Sequence, residues 1–300
     1  MLAIFQNRIY YPSQRLIKQQ SKPNQPIPNT MSKYYTNDVA SFASKRISRK
    51  KVATAIQDSM IDNSTIHYLG GTSTQTPFEN SFRGKNVTFV RYEKLKSLVP
   101  SGYNQISFSN KGDAILPSKG DKGYFCNGEF FECFFPLQEK LQPKQAHYWL
   151  DFCGMPQSHL LEAIYYTFFF EVEENFKSLY LTFFLNPRNC EDVKTNLFKN
   201  GEKTTEQKAE TLLNRFKEMT DGKGMDCEIF EIYNNGKAPM CVLKIERRKE
   251  IDDMTKTASL ENYVRLHRKG FSNKQIAVFW RAGTMQVAGF AAQAKRKKMI

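Results

Sequence analysis

Five apolar runs in this 300-residue chain each halt at a residue able to hold a ligand. Thr65-Ile66-His67-Tyr68-Leu69 runs into Gly70-Gly71, and Val87 to Tyr92 into Glu93. Ile106 to Phe108 leads to Asn110-Lys111-Gly112-Asp113, Tyr148-Trp149-Leu150 to Asp151, and Leu179 to Leu185 to Asn186. Short apolar runs bounded by turn residues read as strands. In an open α/β sheet, ligands bind beyond the carboxyl ends of the strands. Several polar strand ends in series therefore point to one nucleotide-sized site.

Other reactive side chains form no such series. His67, His147 and His159 have no triad-like partners in the sequence and read as packing or surface residues. Cys153 follows Phe152 beside Asp151, and a thiolate there becomes a nucleophile only with electrostatic assistance. The six cysteines include no C-x-x-C pair and, with four histidines, no zinc-type spacing. They read as reduced thiols of an intracellular protein, in cytoplasm or nucleus. No metal site is expected.

Lys and Arg number 44 against 30 Asp and Glu, and the excess sits at the two ends. Residues 1–57 carry ten Lys/Arg against Asp38 alone, and residues 251–300 carry ten against Asp252, Asp253 and Glu261. A near-neutral body with two basic ends suits a polyanion, most simply nucleic acid. No run approaches the roughly 18–20 apolar residues that span a bilayer. Residues 1–45 form a basic leader whose Gln19 to Pro28 stretch is rich in Gln, Pro and Asn. Such a segment buries too little apolar surface to fold alone. It reads as a disordered leader or a mitochondrial-type presequence.

The elements that must position the strand ends follow from periodicity. Val52, Ala55, Ile56 and Met60 recur at helical spacing, predicting a helix over 46–61. A short helix is expected from Pro77 to Phe82, and the third strand from Gln105 to Phe108. Lys119 to Gln142 reads as an insertion with an aromatic, hairpin-like run from Gly123 to Phe135. Helices are expected from Pro156 to Phe170 and from Thr204 to Met219, the latter capped by Thr204 or Thr205. Glu228 to Tyr233 and Met240 to Ile245 flank Asn234-Asn235-Gly236, a hairpin signal. The alternation predicts an α/β domain over 46–250, its seven-stranded sheet mostly parallel with an antiparallel edge hairpin.

This order of strand ends resembles the class I S-adenosylmethionine-dependent methyltransferases over residues 46–248. The resemblance implies S-adenosylmethionine as cofactor. It assigns Leu69, Gly70 and Gly71 to the glycine turn beside the methionine moiety, where a missing Cβ admits close backbone approach. Glu93 matches the acid that takes the ribose hydroxyls, since a carboxylate accepts both hydrogen bonds of a diol. Asp113 and Ala114 resemble the acid-small pair beside the adenine. Asp151, with Asn186 ahead of Pro187-Arg188, stands where the family faces the transferred methyl. Two departures are plain: no acid precedes Gly70 by two residues, and the Asp151 turn lacks the Asp/Asn-Pro-Pro-aromatic signature of enzymes that methylate nucleobase amino groups.

Residues 255–300 resemble a helix-turn-helix DNA-binding segment. Leu260 to His267, Asn273 to Trp280 and a helix from Thr284 through Ala294 are separated by Lys269-Gly270-Phe271-Ser272 and Arg281-Ala282-Gly283. In that arrangement the last helix enters the major groove with its early residues at base edges. Thr284, Met285 and Gln286 are then the base-facing residues, and Lys295, Arg296, Lys297 and Lys298 meet phosphate.

Each strand-end residue also has a plain structural role open to it. Gly70-Gly71 serves as an ordinary turn, Glu93 as a helix-start carboxylate beside Lys94 or Lys96, and Asp113 as the close of a tight turn. Two functions therefore stand side by side. One is a methyltransferase acting on nucleic acid, DNA rather than RNA, without a membrane. The other is a non-catalytic DNA-binding protein of a virus or mobile element built on a degenerate methyltransferase-like scaffold.

Overall fold

The computed structural model describes residues 43–70, 77–93, 99–152, 154, 156–170, 175–185, 197–198, 204–235, 238–248, 254, 257–280 and 282–300. Gly71, Asn186, Cys153 and the leader up to residue 42 lie outside them. Helix α1 (Ala43–Ser59) turns Val52, Ala53 and Ile56 inward at helical spacing. It leads to β1 (Ser64–Leu69), the short α2 (Pro77–Asn80) and β2 (Val87–Glu93). After β3 (Tyr103–Gln105), β4 (Ser107–Phe108) and β5 (Ala114–Ile115) come β6 (Gly123–Asn127) and α3 (Phe130–Leu141). Then follow β7 (Ala146–Asp151), α4 (Ser158–Ile164) with a π-turn over Tyr165–Phe169, and β8 (Phe176–Phe184). Helix α5 (Thr205–Thr220) precedes β9 (Met225–Asn235) and β10 (Ala238–Arg247).

Eight strands make one sheet in the order β3-β6-β2-β1-β7-β8-β10-β9. Pairing is parallel from β3 through β8, while β10 is antiparallel to both β8 and β9. The sheet is thus eight-stranded rather than seven-stranded, and α/β and mostly parallel as expected, with its antiparallel hairpin at one edge. Leaving aside the short edge strand β3, the five parallel strands stand 3-2-1-4-5 in chain order. That is the doubly wound, Rossmann-like arrangement, and it switches direction between β1 and β7.

Successive strand residues serve opposite faces of the sheet. Tyr148, Leu150, Leu181 and Phe183 meet Phe134 and Leu137 of α3, Leu161 of α4 and Phe216 of α5. Ile66, Tyr68, Trp149 and Tyr180 face the other way, onto Val52 and Ile56 of α1 and Phe78 of α2. The tight seam of β6 against β2 depends on Gly123, whose φ is +146° and whose Cβ would stand 2.0 Å from the Phe89 carbonyl oxygen.

That seam corrects one expectation. The third parallel strand is β6, inside the stretch expected as an insertion, and Phe130–Leu141 is a helix rather than the second arm of a hairpin. The run expected as that strand divides instead. Tyr103–Gln105 lies at the outer edge, and Ser107–Phe108 pairs with Ala114–Ile115 in a separate two-stranded sheet. The Phe-rich sequence misleads because helix packing needs apolar residues as much as strands do. Only the stop at Gly128 separates the two elements.

Three C-terminal helices, α6 (Leu260–Arg268), α7 (Asn273–Phe279) and α8 (Thr284–Arg296), pack around their own core of Tyr263, Leu266, Phe271, Ile276 and Val287. Ser272 caps α7, accepting from the Gln275 amide at 3.4 Å while Gln275 Oε1 accepts from the Ser272 amide at 2.9 Å. The Arg247 guanidinium at the end of β10 lies 5.2 Å from the Phe279 ring centre, and Trp280 Nε1 donates to the carbonyl of Met254, itself part of the C-terminal core, at 3.0 Å.

Two histidines are wholly buried core residues. His67 Nδ1 lies 2.9 Å from the Tyr92 hydroxyl, and its Nε2 has no hydrogen-bond partner among the described residues. Burial pushes its pKa down from 6.5 to about 3. His147, bonded to Ser178 Oγ at 2.8 Å, is also pushed down to about 3, by burial first and by the charge of Lys177 second. A depressed histidine pKa favours the neutral ring in the folded state. Its contribution is full above the unfolded value near 6.5 and is lost as pH falls from there toward the folded value. Each histidine adds a slope of up to about 1.4 kcal/mol per pH unit in that window. His67→Phe is expected to remove one such slope between pH 6 and pH 4 in urea unfolding, and an unaltered pH profile would refute the assignment.

Candidate functional site at the carboxyl edge of the sheet

Parallel pairing aligns the strand ends of the central sheet. Leu69 pairs with Tyr92 and Glu93 with Asn127. Beyond them, the Gly70 amide donates to the Tyr92 carbonyl and the Gly128 amide to the Glu93 carbonyl, both at 3.0 Å. On the other flank Tyr68 pairs with Trp149, two residues before Asp151. Asn127, Glu93, Gly70 and Asp151 therefore stand in series along one rim, on four adjacent strands. The direction switch between β1 and β7 falls between Gly70 and Asp151, where such sheets open a crevice.

Strand alternation puts Arg91, Glu93, Trp149 and Asp151 on the face covered by α1 and α2. Burying charge there demands partners, because an isolated ion in a low-dielectric site costs far more than a paired one. Lys45 of α1, 3% exposed at its side chain, places Nζ 2.9 Å from Asp151 Oδ2. Arg49, one turn on, comes within 3.9 Å of the same oxygen and lies 5.8 Å from the centre of the Trp149 ring. Asp151 is thus a carboxylate held by two cations of the first helix.

A second cluster surrounds Glu79 of α2. Lys122 Nζ donates to its Oε2 at 3.1 Å, Arg91 Nη1 lies 3.8 Å from its Oε1, and the Tyr68 hydroxyl donates to Oε1. Tyr68 and Tyr103 place their hydroxyls 3.1 Å apart. Burial first, and then the neighbouring Glu79 charge, raises the Tyr68 pKa, while burial and then its Tyr68 and Glu79 neighbours raise that of Tyr103. Both remain protonated donors.

This network changes the reason for Gly70. A Cβ built there would lie 2.1 Å from Arg91 Nε, so the missing side chain admits the arginine stem. Gly128 is similarly occupied, since a Cβ there would stand 2.6 Å from Cys133 Sγ. Cys126 and Cys133 are free, buried thiols at this strand end. Asp113 and Ala114 do not join the rim. Asp113 closes an exposed turn, its amide donating to Ser109 Oγ at 3.1 Å, and Ala114 begins β5 outside the main sheet. The strand-end position expected for them belongs to Asn127 and Gly128, because β6 and not Gln105–Phe108 pairs with β2. Leu69 ends β1 half-buried, packed against the α3 side of the core.

At the rim, then, Glu93 and Asn127 bring hydrogen-bonding side chains, whereas the spaces beside Gly70 and Gly128 are filled by Arg91 and Cys133. Lys45, Arg49, Glu79, Arg91 and Lys122 were not anticipated. A lone arginine inside the run Val87 to Tyr92 was the one available signal, because buried arginines are paired. Among the described residues, no three His, Cys, Asp or Glu side chains converge as metal ligands. Nor, among them, is any helix long and apolar enough to cross a membrane.

The C-terminal residues occupy opposite ends of one helix. Thr284, Met285 and Gln286 are exposed in the first turn of α8, Met285 at 87%, while Val287 is buried. Lys295, Arg296, Lys297 and Lys298 are exposed at its far end, about 15–20 Å away at 1.5 Å per residue. Cations at that end also complement the helix dipole.

No family model and no curated protein matches this chain. Among solved structures, one similar chain belongs to the E. cuniculi Mtq2–Trm112 complex, responsible for methylation of the eRF1 translation termination factor. It is 11% identical over 69% of this chain and 98% of that one, with a TM-score of 0.31. A likeness that loose carries no argument, and the fold assignment rests on the strand order itself.

The Lys45–Asp151 pair makes a direct prediction. Removing one partner of a buried pair strands the other, at a cost of about 3–5 kcal/mol, whereas replacing both by apolar residues is often close to neutral. Lys45→Met should lower urea stability by about 3 kcal/mol, and adding Asp151→Leu should recover most of it. A single variant as stable as the wild type would show that the pair is not formed.

Proposed function

We propose that the carboxyl edge of the sheet is the cofactor site of an S-adenosylmethionine-dependent methyltransferase that acts on nucleic acid. The observation that carries this reading is the alignment of Asn127-Gly128, Glu93, Gly70 and Asp151 on four adjacent strand ends, spanning the switch between β1 and β7. Glu93 holds the ribose hydroxyls, and Asn127 with Gly128 borders the base. Bound there, S-adenosylmethionine supplies the methyl group. The chain itself aligns the acceptor and excludes water, which is enough for a transfer to a nucleophilic nitrogen. Asp151, fixed in place by Lys45, accepts a hydrogen bond from the acceptor's amino group and so points its nitrogen lone pair. Asn186, outside the described residues, is proposed as a second positioning group.

Duplex DNA is the proposed acceptor polymer, held by the C-terminal helices in a helix-turn-helix manner. Thr284, Met285 and Gln286 face base edges, and Lys295 to Lys298 meet phosphates. The basic ends of the chain support this reading, as does the exposed first turn of α8.

Two observations favour the non-catalytic scaffold as a second reading: Arg91 fills the space beside Gly70, and Lys45 covers Asp151. Calorimetric titration with S-adenosylmethionine separates the two. The methyltransferase reading expects one-to-one binding that weakens at least tenfold, about 1.4 kcal/mol, in Glu93→Ala. Absence of detectable binding to the wild type leaves only the scaffold. For the tail, substituting Lys295, Lys297 and Lys298 by Gln should flatten the salt dependence of duplex binding by up to about 0.9 in log–log slope per lost phosphate contact. An unchanged slope removes those lysines from the interface.

A further inference from the structure

We propose that the exposed face of α1, centred on Arg46 and Lys50, is a second DNA contact that takes phosphate backbone beside the carboxyl edge of the sheet. The proposal rests on the nucleic-acid reading above and adds to it a site on the sheet domain itself.

Five of the seven residues from Lys45 to Lys51 are cations. They fill the first half of α1, and two of them, Lys45 and Arg46, fall in its first turn, which holds no acid. A helix start carries the positive end of the backbone dipole, so cations there are unfavourable in the free protein. Two of the five are used internally: Lys45 pairs with Asp151 at 2.9 Å, and Lys51 with Glu231 at 2.6 Å. Arg49 leans on Trp149 and toward Asp151. Arg46 and Lys50 are left exposed, without an ion pair among the described residues, and stand one turn apart on the same side. Like charges at that spacing repel. Ile47, between them, is 56% exposed.

The helix bearing these unfavourable charges is nonetheless fixed in place. Val52, Ala53 and Ile56 are fully buried beneath it. Lys45 ties it to the end of β7, Lys51 ties it to β9, and Ser44 Oγ donates to the Asn234 carbonyl at the end of β9. The charged face therefore sits rigidly at the rim where Asp151 ends its strand. A helix face on which Arg46 and Lys50 adjoin, with no acid of α1 within a turn of either and its Asp58 two turns beyond Lys50, suits an extended anionic backbone. The basic residues 251–300 of the same chain point to the same class of ligand.

The test is duplex binding by the full chain, followed by fluorescence anisotropy on a labelled 30-base-pair DNA across a salt series. Arg46→Gln with Lys50→Gln is compared with Lys140→Gln with Lys217→Gln, which removes equal charge from exposed sites on α3 and α5, across the sheet from α1. The first pair should weaken binding at least tenfold at low salt and lower the log–log salt slope by about 1.8, two phosphate contacts at about 0.9 each. The control pair should leave the slope nearly unchanged. The charge-preserving swap Arg46→Lys with Lys50→Arg should bind like the wild type. Equal effects of the two Gln pairs, or no change in slope with the first, overturn the α1 site while leaving the C-terminal contact standing. If the wild type does not bind duplex at all, or binds polyglutamate instead, the nucleic-acid reading falls and this site with it.

Discussion

The sheet's carboxyl edge gathers charge where there is little water to solvate it, and the arrangement around it follows from pairing that charge. Asp151 ends a buried strand and must meet a cation; Lys45 supplies it from the first helix, with Arg49 behind. Arg91 is buried inside β2 and must meet an anion; Glu79 supplies it from the short helix after β1. These pairs do more than neutralise. Each ties a helix to the strand end it covers, so the placement of α1 and α2 over that face is set by electrostatics as well as by Val52, Ile56 and Phe78.

The same pairing shapes what the rim can hold. The stem of Arg91 needs the room that Gly70 leaves, and Cys133 needs the room at Gly128. Both glycines thus serve the protein's own side chains, whatever else approaches them. Glu93, at the end of β2 between the two glycines, pairs in register with Asn127, which precedes Gly128 on β6, and both bring hydrogen-bonding side chains. The rim therefore has two ends of different character. One is built from hydrogen-bonding groups beside β6, and the other from ion pairs beside β7.

The C-terminal helices are organised on a different basis. Their core is small, and local signals govern it: the Ser272–Gln275 cap, the turn before Thr284, and apolar residues at helical spacing. Arg247 at the end of β10 reaches the Phe279 ring, while Trp280 bonds the Met254 carbonyl within the C-terminal core.

How much could be read from the chain alone follows from range. Element type and order, the parallel sheet, the edge hairpin, the cap at Thr204 and the three C-terminal helices were legible. They depend on periodicity and on turn residues a few positions away, and each of those physical preferences acts within one segment. The placement of Glu93 and Asp151 at strand ends was legible for the same reason. The identity of the third parallel strand was not, because Tyr103–Gln105 and Gly123–Asn127 both suit a strand and only competition for the edge of β2 decides between them. Nor were the partners of Asp151 and Arg91. Lys45 and Glu79 are ordinary surface-type residues until folding carries them to a buried carboxylate and a buried guanidinium, and the cost of leaving either charge unpaired exists only in the packed structure.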